Sequence, residues 1–208
     1  GAALGYNVLL VMPECVSQER RKILEAFGAE LILSLGCEGT DGAIKRARAM
    51  MEEAPGRYFM PNQFDNPANV LAHYETTGRE IIEQTAGRID VFVAGMGTTG
   101  TLMGAGRRLK EFDPKIRVVG DKIQGLKNMK ESIVPKNYDP TFADEKITVT
   151  DDDAFTTTRE LALKEGLFVG MSSGAAVWGA LEMAKRTSSG TIVVILPDRG
   201  DRYLSTSL

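Results

Sequence analysis

Twice in this 208-residue chain a short apolar run enters a turn of glycine and hydroxyl residues and leaves it as a stretch of helical period. The first is Asp90-Val91-Phe92-Val93-Ala94 followed by Gly95-Met96-Gly97-Thr98-Thr99-Gly100-Thr101-Leu102-Met103-Gly104. The second is Phe168-Val169 followed by Gly170-Met171-Ser172-Ser173-Gly174-Ala175-Ala176. Strand-sized runs and helical segments alternate along the whole chain, and strands separated by helices pair in parallel. The expected class is α/β with mostly parallel sheets, in which helices cover the sheet faces.

The expected strands are Asn7 to Met12, Ala29 to Ser34, Tyr58 to Met60, Asp90 to Ala94, Ile116 to Val119, Ile147 to Val149 and Thr191 to Leu196. The first helix runs from Ser17 to Phe27, closed by Gly28, and buries Ile23, Leu24 and Phe27 on one face. A second runs from Asp41 to Glu53 with Ile44, Ala47 and Met51 on one side, and one long helix carries Val70, Leu71, Tyr74, Thr77 and Ile81. Asp121 to Lys146 is irregular. Asp151-Asp152-Asp153 opens a helix that ends at Gly166, and the helix with Val177, Trp178, Leu181 and Met183 is apolar enough to be buried. The polar segment Asn62-Gln63-Phe64-Asp65-Asn66-Pro67-Ala68-Asn69 interrupts the rhythm, so the domains divide there into 1–61 and 62–208.

The turn after Ala94 suits an anion. Glycines let backbone N–H groups approach a phosphate, the following helix adds unpaired amides and the positive end of its dipole, and Thr98, Thr99 and Thr101 add hydroxyls. Taken alone, the same turn is also explained by the need for small residues where a strand packs on a helix. Ser172 likewise reads as a ligand group or as a helix cap.

A net charge of -3, with the basic residues dispersed, argues against a nucleic-acid or membrane-surface footprint. Cys15 and Cys37 form neither a disulfide framework nor a metal spacing, and His73 has no companion ligand, so a reduced, metal-free protein is expected. Asp198, Arg199, Asp201 and Arg202 read as a surface ion-pair turn, Asp151 to Asp153 as a charged helix start, His73 as a helix residue and Trp178 as packing.

Five segments in order, Ser17-Gln18-Glu19-Arg20-Arg21, Asn62 to Pro67, Gly97 to Thr101, Gly170 to Ala175 and Asp198 to Ser205, make nearly the whole chain resemble the cysteine synthases. These are fold-type II enzymes dependent on pyridoxal 5'-phosphate (PLP). The resemblance implies two three-layer domains of the tryptophan synthase β-like kind. Residues 1–61 are then the remainder of the smaller, substrate-side domain, and 62–208 the larger domain that binds the PLP phosphate. Thr-Thr-Gly-Thr, where A-type enzymes have a second glycine in place of Thr99, and Asp-Arg-Gly-Asp-Arg-Tyr are more like the B type.

By matching position, Gly97, Thr98, Thr99, Gly100 and Thr101 would hold the PLP phosphate. Ser172 would meet the pyridine nitrogen, and Gln63 would lie near the substrate carboxylate in a loop that closes over it. A hydroxyl at the pyridine nitrogen does not hold it protonated as a carboxylate would, so the ring is a weaker electron sink, favouring β-elimination. The family's Schiff-base lysine and its Thr-Ser-Gly-Asn-Thr-Gly loop have no counterpart here, and both are expected upstream of Gly1. Relatives also carry several further residues after the position of Gly120, before a segment like Lys122-Ile123-Gln124-Gly125-Leu126. The sequence is therefore expected to be part of a longer chain; a polypeptide of these residues alone would have no activity.

The implied reaction is β-replacement of the acyloxy group of an O-activated L-serine, O-acetyl-L-serine first, by sulfide or thiosulfate, giving L-cysteine or S-sulfocysteine with the carboxylate, acetate in the first case, as leaving group. Related readings are a serine dehydratase or cystathionine β-synthase, and a non-catalytic paralogue whose cavity accepts a partner's C-terminal peptide. A dinucleotide-binding oxidoreductase is disfavoured because no acidic ribose-binding residue follows the glycine turn. The resemblance further implies a cytoplasmic homodimer.

Overall fold

A computed structural model of the chain describes residues 1–123 and 133–206. Gln124, Gly125 and Leu126 of the segment discussed above lie outside the described residues. The chain divides into two compact units: Gly1–Pro61 together with the segment that begins at Gly200, and Asn62–Arg199. The sequence-based division also falls after residue 61 but assigns everything beyond it to one domain.

In the first unit, β1 (Leu9–Pro13) and β2 (Glu30–Ser34) pair in parallel, from Leu9 opposite Glu30 to Pro13 opposite Ser34. α1 (Gln18–Ala26) makes the crossover, and α2 (Gly39–Glu53) packs on both strands. Ser17 precedes α1 and donates its hydroxyl to the Arg202 carbonyl, while Arg20 donates to the Tyr203 hydroxyl at 2.7 Å. Contrary to expectation, α1 has no buried residue, and Phe27 is 69% exposed. A two-stranded sheet is too narrow to cover a whole helix face, so Ile23 and Leu24 are only half-buried. α2 buries Ala43 and Met50 rather than Ile44 and Met51, a rotation of one residue. Tyr58 to Met60 belongs to no strand.

The second unit is a four-stranded parallel sheet in the order β5-β4-β3-β6, made of β3 (Val91–Gly95), β4 (Arg117–Ile123), β5 (Glu145–Val149) and β6 (Ile192–Val194). Side chains alternate along each strand. Phe92 and Ala94 of β3 and Val118 of β4 face one core with Ile81, Leu102, Ala105 and Leu109. Val91 and Val93 of β3 and Val119 and Ile123 of β4 face the other with Ile147, Val149, Ala154, Ala175, Ala180 and Met183. Helices α3 (Pro67–Glu75), α4 (Thr77–Thr85) and α5 (Gly100–Phe112) therefore make one outer layer; α6 (Asp151–Glu165) and α7 (Met171–Ala184) make the other. Phe92, Val93, Val118 and Val119 are fully buried, each contributing about 1.5–3 kcal/mol of transfer free energy.

Several expected boundaries move. The long helix breaks at Thr76 (φ −113°, ψ −77°), whose hydroxyl donates to the Ala72 carbonyl at 2.7 Å. The break lets the first turn of α4 lie against α5, where a β-carbon at Gly78 would come within 2.6 Å of the Arg108 β-carbon. β4 continues through Asp121, paired with both β3 and β5, to Lys122 and Ile123, which pair with β5. Val169 makes only a single antiparallel bridge, to Arg199. α7 buries its small residues, Ala175, Ala176, Gly179 and Ala180, while Leu181 stays 50% exposed. α6 starts at Asp151 as expected, with the Thr150 hydroxyl accepting from the Asp153 amide at 3.1 Å. Among the described residues no helix is long and apolar enough to cross a membrane.

Candidate functional site

A cavity of about 320 Å³ opens where β3 and β4 end. It is lined by the backbone from Ala94 to Thr101, by Asp121, Lys122 and Ile123, by Ser172, and by Ile195 and Pro197. The structure thus brings Gly97, Thr98, Thr99, Gly100, Thr101 and Ser172 to one place. Gln63 is exposed and does not line it. A larger cleft of about 570 Å³ runs between α6 and α7, past Asp153, Glu160, Trp178, Glu182 and Lys185. Its polar groups are engaged: Lys185 pairs with Glu182, Glu160 with Lys164 at 2.8 Å, and Asp153 accepts from the Thr150 hydroxyl at 2.6 Å. The smaller cavity is the one with unsatisfied polar groups.

The turn commits its side chains to the protein. Thr99 adopts the left-handed conformation (φ 65°, ψ 1°) at the cap of α5, and its hydroxyl donates to the Thr98 carbonyl at 2.7 Å. Asn69, in the first turn of α3, donates through Nδ2 to the Thr98 hydroxyl at 3.0 Å and to the Gln63 carbonyl at 2.7 Å. One turn further along α3, His73 Nε2 lies 3.1 Å from the Thr101 hydroxyl, and Nδ1 lies 2.9 Å from the Thr77 hydroxyl. Burial pushes His73 below its ordinary value, so the ring is neutral at pH 7 and donates from one nitrogen while accepting at the other.

What remains for a ligand is the backbone. Among the described residues, no acceptor takes the amide hydrogens of Gly97 to Thr101; the first α5 amide bonded back is Met103, to the Thr99 carbonyl at 2.9 Å. Gly97 has open space on its side-chain side. Free donors at the start of the thirteen-residue α5, with its dipole, are suited to an anion such as a phosphate.

Across the cavity stands the start of α7. Its N-cap, Gly170, is extended and makes no side-chain cap, so the expected Ser172 cap is not formed. The half-buried Ser172 hydroxyl has no partner among the described residues. Ser173 Oγ and Asp121 Oδ1 are buried without partners among the described residues. Asp121 is 3% exposed, and burial pushes its carboxyl up to about 7.

The loop Asn62 to Asn69 is tied down as well. Asn66 Oδ1 accepts from the Ala68 amide at 2.9 Å and caps α3, where Pro67 suits the first turn. Asn137 Nδ2 donates to the carbonyls of Gln63 and Asn66, each at 3.2 Å. Sequence reasoning missed Asn69, His73 and Asp121. The first two are spaced one helical turn apart, a face that could have been read; the third is a charge inside an apolar strand run.

The free amides, the unpartnered hydroxyl opposite and the cavity's dimensions fit a phosphate-bearing ring. The family model described as "Pyridoxal-phosphate dependent enzyme" matches residues 1–198. The chain is 49% identical over 219 residues to a cysteine synthase of Aquifex aeolicus, covering 100% of this chain and 67% of that protein. It is 45% identical over 213 residues to cysteine synthase B of Salmonella typhimurium, covering 100% of this chain and 70% of that one. The crystal structure of the Entamoeba histolytica cysteine synthase superposes with a TM-score of 0.87 at 39% identity, over 99% of this chain and 65% of that one. The chain spans about two thirds of the length of these relatives. With a family model that matches residues 1–198 and relatives matched along its length, the chain belongs to the pyridoxal-phosphate dependent enzyme family, with cysteine synthases among its relatives.

Proposed function

We propose that the protein to which this chain belongs is a cysteine synthase that replaces the acetoxy group of O-acetyl-L-serine with sulfide, or with thiosulfate, to give L-cysteine or S-sulfocysteine and acetate. The observation that carries the reading is the 49% identity to a cysteine synthase across the whole chain. Bound in the cavity, pyridoxal phosphate would supply the electron sink for loss of the substrate's α-proton and of acetate.

This chain's own residues bind and orient. The amides of Gly97, Thr98, Thr99, Gly100 and Thr101 hold the phosphate, with Asn69 and His73 fixing the turn behind them. Ser172 donates or accepts at the pyridine nitrogen without fixing a charge there, which keeps the ring a moderate sink suited to elimination. Gln63, in the tied Asn62–Asn69 loop, is proposed for the substrate carboxylate. In this reading Gly1–Pro61, with the segment from Gly200 that belongs to the same unit, serves the substrate side, and Asn62–Arg199 the phosphate side. Thr99 and the 45% identity to a cysteine synthase B support the B type. A cytoplasmic homodimer, and a regulatory partner that inserts a C-terminal peptide, rest on the family resemblance.

The test is product analysis with the holoenzyme, using O-acetyl-L-serine with sulfide and, separately, with thiosulfate. Formation of cysteine supports the reading. Ammonia and pyruvate from serine, or turnover only with a thiol amino acid as acceptor, would instead identify a dehydratase or a cystathionine β-synthase. A protein that binds a C-terminal peptide tightly but turns over none of these substrates would be the non-catalytic paralogue.

A further inference from the structure

We infer that Asp121 takes up a proton when an anion fills the cavity beside the Gly97–Thr101 turn, so that binding of pyridoxal phosphate is linked to protonation of this carboxyl. The inference rests on the cofactor reading above. It adds a residue that neither the sequence pattern nor the phosphate cradle calls for.

Asp121 lies in β4 opposite Gly95 of β3 and Ile147 of β5, on the sheet face covered by α7. Its two carboxylate oxygens are each 3.8 Å from the place a β-carbon on Gly95 would occupy, and its own β-carbon is 3.8 Å from that place on Gly179. Val93 and Ile147 close the same junction at 3.8 Å from the Gly179 position. The carboxyl is therefore held between two strands and a helix, lines the cavity, and leaves Oδ1 with no hydrogen-bond donor among the described residues. None of the facing groups, Gly95 and Val93 on β3, Ile147 on β5 and Gly179 on α7, is titratable. Lys122, the next residue of β4, is the other titratable group in the cavity wall among the described residues.

A carboxylate so placed is poorly solvated, and burial alone already carries its protonation midpoint to about 7. A phosphate dianion in the same low-dielectric cavity raises it further, since like charges disfavour the ionised form. In the step itself, one solvent proton moves to a carboxylate oxygen, and no other bond changes. Near pH 7 the ligand then selects the neutral acid, and affinity falls as pH rises through the midpoint of the free protein.

The experiment is titration of the apoprotein with pyridoxal phosphate, and with inorganic phosphate as the ring-free probe, for wild type and Asp121→Asn. From about pH 6 to about pH 8.5 the wild-type affinity is expected to fall on the order of tenfold more than that of the variant. Calorimetry of the wild type at pH 7.5 in two buffers of different ionisation enthalpy should show net proton uptake beyond that of the variant. Parallel pH profiles would overturn the role of Asp121. Wild-type affinity that rises with pH relative to the variant would overturn it too, because that is the signature of a carboxylate paired with a protonated ring. If pyridoxal phosphate binds neither protein at any pH, the cofactor reading fails and takes this inference with it. Binding with parallel profiles leaves that reading intact.

Discussion

The two turns that face the cavity open helices of similar length but spend their polar groups in opposite ways. At the start of α5 every threonine hydroxyl is engaged, Thr98 by Asn69, Thr99 by the Thr98 carbonyl and Thr101 by His73, while the amides have no acceptor among the described residues. At the start of α7 the Ser172 hydroxyl has no partner among the described residues, and the helix is fixed instead by close packing of Gly174 on α6. A locked turn with free amides suits a charge that must sit in one place, because nothing has to reorganise on binding. A free hydroxyl suits a group whose electronics are to be adjusted rather than anchored. Under the proposed function the comparison assigns anchoring to one helix start and tuning to the other.

Glycine-to-alanine changes at the two turns should break that comparison in different currencies. At Gly174 the added methyl would overlap the Ala154 carbonyl oxygen and Thr158, and the backbone of α6 cannot step aside. Gly174→Ala is expected to cost about 2–3 kcal/mol of unfolding free energy, read as a lower urea midpoint at unchanged slope. At Gly100 the methyl meets only the Asn69 side chain, which can rotate away. Gly100→Ala should therefore cost less stability but release Thr98, weakening pyridoxal phosphate binding about tenfold. Equal stability losses with unchanged binding would show that the first turn is a packing device.

How much of this was legible follows from what each signal depends on. The unbroken apolar run Val91, Phe92, Val93 and Ala94 reports a strand buried on both faces, and the sheet bears it out. The Asp151–Asp153 helix start was legible because capping is local. Asn69 and His73 acquire their roles only because α3 lies across α5, where a β-carbon on Gly104 would crowd His73 and Tyr74. No local pattern announces that crossing. Asp121 was read as the start of an irregular segment because a carboxylate inside a strand contradicts propensity; pairing on both sides overrides it. The face of α1 failed for the converse reason, since its period is right but the sheet beneath it has two strands.

The tuning side is sharpened by Ser172→Ala. Removing a hydroxyl that has no partner among the described residues should leave unfolding free energy within about 0.5 kcal/mol of wild type. Pyridoxal phosphate affinity should fall about fivefold, matching one lost hydrogen bond of about 1 kcal/mol, with a changed absorption band of the bound cofactor. An unchanged band would place the pyridine edge away from Ser172.

The smallest effect is expected at Thr99, and it decides whether the anchor is backbone or side chain. A threonine at φ 65° carries a steric cost of about 1–2 kcal/mol that glycine does not. Thr99→Gly recovers that cost. It also loses a hydroxyl bond of about 1 kcal/mol and adds about 0.5–1 kcal/mol of chain entropy to be fixed on folding. The terms offset, so the variant should unfold within about 1 kcal/mol of wild type. Because the hydroxyl already points to the Thr98 carbonyl, pyridoxal phosphate affinity should change less than about threefold. A tenfold loss in the titration would mean that the hydroxyl turns to the phosphate on binding, and the anchoring of α5 would then be shared between side chain and amide as it is not in the ligand-free turn.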